Sequence, residues 1–217
     1  MRSLALVLVL AALAATACDS GADKSASAGA PGGSQTTAQQ TTAQQTTTPA
    51  ASHHFTKQDL SHVALQPSDA PSGMRYTKAE SGRKSLADIG YIVADQTRPV
   101  RKLGFEAVYD ATFDSTSSDL RLASRLWLFD KPEGADRWLR KAEQDAQTYA
   151  FQPIDSPQLG DESWAAKGNV GAAVITYAFR TGNLVVVTSY TTQSQKLSEA
   201  ATLAAAQRAE QRAAGVV

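Results

Sequence analysis

The sequence predicts an α+β fold, a single antiparallel sheet with helices packed on it, after a signal peptide and a disordered tether. Three observations carry this reading. Phe105, Ala107, Tyr109, Ala111 and Phe113 alternate with Glu106, Val108, Asp110 and Thr112, the period of two of a half-buried strand. Ala135, Trp138, Leu139, Ala142, Ala146 and Tyr149 recur at helical spacing. The order strand, strand, helix then returns between Val170 and Ala213, and two such units suit one sheet covered by helices.

Taken in order, the chain opens with Arg2 and an unbroken apolar run from Leu4 to Leu13, then Ala15-Thr16-Ala17-Cys18. The run is shorter than the roughly 20 residues a bilayer span needs. A basic start, a short apolar run and small residues mark a cleaved export signal over 1–17. The segment resembles a bacterial lipoprotein signal with its lipobox. That resemblance implies that Cys18 is acylated, becomes the mature N-terminus and anchors the chain in the bilayer, on the extracytoplasmic face of the cell membrane. Cys18 is the one cysteine in the chain, so nothing remains for a disulfide, a thiol nucleophile or a cysteine metal site.

Residues 18–54 hold the cysteine and a linker of Ser, Gly, Ala, Thr and Gln, with a TTAQQ repeat from Thr36. So little apolar surface cannot offset the chain entropy lost on ordering, and the segment is expected to be a disordered tether. As a coil it would hold the body about 30 Å from the membrane.

The domain is expected over 55–217, a length suited to one core. Lys57 to Leu65 suggests a short helix or an extended lead-in; Pro67, Pro71 and Gly73 mark a turn; Met74 to Ala79 reads as a strand. Ser85 to Gly90 suggests a helix or turn, and Tyr91 to Ala94 has strand character. Pro99 argues against a continuous helix there. After the alternating strand, Asp114 to Asp119 is a polar turn and Arg121 to Phe129 a second strand, forming a hairpin. Glu106 and Asp110, on its outer face, are placed to pair with Arg121 or Arg125 across it.

Asp130 then stands as N-cap, with Pro132 in the first turn and Glu133 at capping-box spacing. Pro153, Pro157 and Gly160 mark a loop through Trp164. Val170 to Arg180 and Leu184 to Thr191 are strands joined by the Thr181-Gly182-Asn183 turn. Leu197 to Ala213 is an Ala-rich helix whose buried stripe is expected at Leu197, Ala200, Ala201 and Ala204, with Arg208 and Arg212 suited to its end.

Gly104-Phe105-Glu106-Ala107, Leu128-Phe129-Asp130, Leu159-Gly160-Asp161-Glu162 and Phe179 to Val187 together resemble uncharacterised actinobacterial-type lipoproteins. The architecture is also similar to the PsbP/Mog1-like fold and to the extracellular sensor domains of some mycobacterial kinases. These resemblances imply a fold and supply no catalytic residue.

Composition excludes several functions. The 21 basic and 21 acidic residues balance, so net charge argues neither for nucleic acid nor for an anionic membrane surface as a partner, and no nucleic acid is expected. The three histidines are His53, His54 and His62, all in the lead-in, which argues against a Ser-His-Asp site or a His-ligated zinc. No cofactor or metal is expected. The ligand-binding candidates are Asp161, Glu162, Trp164 and Tyr109: an acid pair beside an aromatic that stacks on sugars or apolar groups, and an aromatic strand face. The expectation is a membrane-tethered domain without catalytic activity that binds an envelope protein or a small apolar ligand. The alternatives are a hydrolase of envelope material using carboxylates and an assembly factor for an envelope complex.

Overall fold

The computed structural model of the protein describes residues 53–90, 94–194 and 196–216. The export signal, Cys18 and the tether up to residue 52 lie outside the described residues, as does most of the strand expected at Tyr91 to Ala94; His53, expected in the tether, is described and stacks edge-on against Phe55 with ring centroids 4.4 Å apart.

The chain begins with α1 (Leu60–Val63), a 3-10 turn at Pro67–Asp69, and two short strands, β1 (Met74–Tyr76) and β2 (Gly82–Lys84). Then come α2 (Ala94–Lys102), the hairpin β3 (Phe105–Ser115) and β4 (Arg121–Phe129), and α3 (Pro132–Thr148). A two-residue strand β5 (Gln152–Pro153), β6 (Glu162–Asn169), the hairpin β7 (Ala173–Thr181) and β8 (Leu184–Thr192), and α4 (Glu199–Ala214) complete it. The strands form one sheet in the order β1-β3-β4-β8-β7-β6-β5, with β2 also on the outer edge of β3. All pairings are antiparallel. The expected α+β class with a single antiparallel sheet is the one observed.

Register divides the side chains into two faces. Phe113, Leu122, Tyr190 and Ile175 lie across from one another, as do Tyr109, Leu126, Val186 and Phe179. This first face packs under α1 and α4, with Leu60, Val63, Ala205, Ala206 and Ala209 in the same cluster. Each fully buried aliphatic or aromatic side chain there contributes roughly 1.5–3 kcal/mol. Alanines let α4 lie close to the strands. Its buried residues are Thr202, Ala205, Ala206, Ala209 and Ala213, whereas Ala200, Ala201 and Ala204 are exposed, so the expected stripe is displaced around the helix.

The second face carries Val108, Trp127, Val185 and Ala178, packed with Ala135, Trp138 and Leu139 of α3 and Val100 of α2. Hence Val108, Asp110 and Thr112, expected on an outer face, are buried: helices cover both sides of the hairpin.

Other expectations need correction. Pro99 lies inside α2. Its missing N–H removes one helical bond, while the buried Val100, packed with Leu86 and Ile89, anchors the helix to the sheet. Lys131, not Asp130, is the N-cap of α3, and no side-chain capping bond forms there. The Asp130 carboxylate instead lies over Gly104, where a Cβ would collide with it and where φ is +80°. The loop expected to run through Trp164 gives way to β6 at Glu162, and β7 begins at Ala173 after a turn.

A cleft on the second sheet face

The second face is filled at one end and open at the other. Near the start of α3, Trp138 stacks on Trp127 with ring centroids 4.6 Å apart. One and two turns later α3 presents Ala142 and Ala146, above Ala123, Thr176 and Ser189 of the strands. Small residues on both sides cannot meet across a helix-to-sheet gap. The result is a cleft of about 310 Å³. Ala79, Glu80 and Ile89 close it on the β3 side, and Phe151 and Trp164 on the β6 side. Phe151 lies against Gly168, where any Cβ would sit 2.8 Å from its ring. All three tryptophans of the chain line this one space.

The floor is polar and internally paired. Arg125 donates to Asp110 through Nε at 2.7 Å and Nη2 at 2.9 Å, and the two side chains are 18% and 12% exposed. Arg121 lies between Asp114, 2.7 Å from its Nε, and Glu80, 2.7 Å from its Nη1. Burial works against the Arg121 charge, but these two carboxylates outweigh it and its pKa is raised. The Thr176 and Ser189 hydroxyls are 2.8 Å apart. Of the pairings expected for this hairpin, Asp110 with Arg125 forms, while Glu106 lies 3.7 Å from Lys57 instead.

The four candidate residues do not converge. Trp164 lines the cleft, with its indole N–H donating to the Leu139 carbonyl at 3.3 Å. Glu162 shares its strand face but lies outside the cleft, 3.6 Å from Arg140. Burial, and a hydrogen bond with Asp136, push its carboxyl up while Arg140 opposes them. Asp161 accepts from Arg180 Nη1 and from the Gly182 N–H, both at 2.8 Å, and so braces the β7–β8 turn. Tyr109 sits on the first face, packed on the core beneath α1 and α4, where burial raises its pKa. Sequence reasoning passed over Asp110, Arg125, Trp127, Trp138 and Ala142 as site residues. The available signal was two arginines beside a tryptophan on one strand face, opposite small residues on the helix.

Among the described residues no group of three or more His, Cys, Asp or Glu is placed to hold a metal ion. No helix among them is long and apolar enough to cross a membrane.

Fold and site together define an α+β domain with a ligand-sized cleft between its sheet and one helix. No protein-family model matches the chain, and no curated protein matches it. Among solved structures it is similar to the extracellular domain of PknH from Mycobacterium tuberculosis. The TM-score is 0.53 at 13% identity, covering 76% of this chain and 99% of that one. At this identity the likeness is one of fold, and it agrees with the kinase-sensor architecture expected from the sequence.

Proposed function

We propose that this protein is a membrane-tethered extracytoplasmic domain that binds a small ligand in the cleft of its second sheet face and performs no chemistry on it. The observation that carries the reading is the cleft itself: about 310 Å³, the lower end of the range for small-molecule sites, with apolar walls and a few placed polar groups. The arginines of its floor already hold carboxylates, so an anionic ligand gains little from them, and Lys84 on the β2 side is a lining cation with no ion pair among the described residues. An uncharged amphipathic molecule fits better, its apolar body against Trp127, Trp138 and Trp164 and a hydroxyl or carbonyl toward Thr176 and Ser189. The absence of catalysis is supported by the pairing of Asp110 and Glu80, each already held by an arginine. The extracytoplasmic setting is supported by Arg2, the Leu4–Leu13 run and Cys18, and by a structural neighbour described as an extracellular domain. A tether would keep the cleft near the surface and raise its effective concentration for anything there.

Native mass spectrometry of the full chain from a bacterial host, compared with the same sample denatured, tests this. A mass excess that vanishes on denaturation is expected, and Ala142→Phe, which fills the cleft, should remove it. A bare mass for both proteins would overturn the ligand reading in favour of a docked protein partner.

A further inference from the structure

The protein is neutral overall but its charge is segregated. Residues 74–103 carry seven basic side chains and three acidic ones, a net charge of +4, which leaves −4 on the rest of the chain. Two of those acids are engaged: Glu80 with Arg121, and Asp88 with the Ser85 N–H and hydroxyl. The basic residues are Arg75, Lys78, Arg83, Lys84, Arg98, Arg101 and Lys102. Among the described residues none of them makes an ion pair. Most other basic side chains of the domain do hold a carboxylate, Arg121, Arg125, Arg180 and Arg212 among them.

Topology sets these charges in a row. Arg75 pairs in register with Asp114, Arg83 with Tyr109 and Lys84 with Val108, so β1 and β2 follow the outer edge of β3 along its length. Arg101 and Lys102 end α2 just before β3 begins. The strip runs about 35 Å at the usual rise per strand residue. All of these basic residues but the half-buried Lys84 are exposed. The lead-in, held at Phe55 by Asn183, then passes this strip: Arg83 Nη2 donates to the Lys57 carbonyl at 3.1 Å, and Lys57 lies by Glu106 at the start of β3.

We propose that this basic edge docks the domain on an anionic phospholipid bilayer. The inference rests on the tethering part of the proposed function, which puts a bilayer within reach, and of these seven cations only Lys84 also lines the cleft. A row of cations with no ion pair among the described residues, beside the lead-in at Lys57, is what a tethered body would turn toward acidic headgroups. Each Lys or Arg near such a surface strengthens attachment about fivefold, and the attraction is lost to salt.

The test uses the full chain with vesicles of phosphatidylcholine alone or with phosphatidylglycerol added. Flotation reports attachment, and amide hydrogen exchange reports docking. On anionic vesicles at low salt, residues 82–84 and 98–102 should exchange several-fold more slowly than on neutral ones. The difference should vanish in about 1 M salt, where screening acts within roughly 3 Å. Substitution of Arg98, Arg101 and Lys102 by Gln should reduce the protection, with unchanged exchange in β7 and β8 confirming the fold. Equal exchange on both vesicles, or protection that survives salt, overturns the proposal. A chain that fails to float with neutral vesicles refutes the tether, and salt-sensitive flotation on anionic vesicles alone would still support the basic edge.

Discussion

The ion pair in the cleft floor can be weighed by a double-mutant cycle. Arg125→Met keeps the length of the aliphatic stem but leaves the Asp110 carboxylate, 12% exposed, with no cation. Breaking a fully buried pair costs about 3–5 kcal/mol; the open cleft admits water to this one, which brings the expected loss to about 2–3 kcal/mol. Asp110→Asn keeps shape and one acceptor for the Arg125 fork, at an expected cost of about 1–2 kcal/mol. With both changed, no charge is stranded, and the double variant should be only about 1–2 kcal/mol less stable than the parent. The coupling energy is then about 2 kcal/mol, within the range for bidentate partners in direct contact. Urea unfolding followed by far-ultraviolet circular dichroism measures all four corners, with the dependence on urea unchanged if the fold is kept. Losses that add to within about 0.5 kcal/mol would refute the reasoning, since partners that do not couple cannot be holding one another in the floor.

Two further outcomes are expected. Asn183 is 1% exposed and joins the start of the domain to the sheet: its Oδ1 accepts from the Phe55 N–H at 2.7 Å, and its Nδ2 donates to the Phe55 and Phe129 carbonyls at 3.0 and 2.7 Å. Asn183→Ala should cost about 3 kcal/mol, roughly 1 per lost bond, and lower Tm by about 10 °C in a thermal melt. Asp119 accepts from the Ser194 and Thr192 hydroxyls and the Gln193 N–H, which lower its pKa from 3.8 to about 2. A depressed folded-state pKa contributes stability that is present above the unfolded value and lost as pH falls through the folded one. The latch between the β3–β4 turn and the end of β8 should therefore loosen between about pH 4 and pH 2, as carboxyl NMR titration would show, and Asp119→Asn should remove that step.

The elements legible in the sequence are those whose burial pattern is local. The β3–β4 and β7–β8 hairpins carry alternating large side chains, and α3 carries a stripe of Trp, Leu and Ala against a charged opposite face. Where one residue type fills every face, the pattern is silent: α4 is plainly a helix, but alanines all round do not say which of them are buried. Strand β6, Glu-Ser-Trp-Ala-Ala-Lys-Gly-Asn, has little alternation of its own and is made a strand by its register with β7. Strands β2 and β5 are too short for any period to show. In the site, Trp164 was legible as an exposed-type aromatic beside acids. The acids were not separable from it by sequence, because Asp161 and Glu162 part only once β6 places Glu162 toward α3 and the turn takes Asp161. The aromatic strand face that makes Tyr109 a candidate in the sequence packs on the core in the structure.

The two faces of the sheet follow opposite packing rules, and that contrast locates the site. On the first face, small residues of α4 meet large strand residues such as Tyr177, Tyr190 and Phe179, so small fits against large and the space closes. On the second face the same complementarity holds at Trp127 and Trp138, then fails where Ala142 and Ala146 stand over Ala123, Thr176 and Ser189. Dense interiors rarely leave space of this size. A chain whose fold needed only stability could have closed the gap with one larger residue on α3. The floor instead carries an ion pair, which contributes little net stability compared with an apolar filling of similar volume. An open space above satisfied polar groups is poor packing for a core and suitable packing for a ligand. The same argument makes Ala142→Phe informative: filling the gap should maintain or raise stability while removing the bound mass, whereas at a defective core position it would change stability alone.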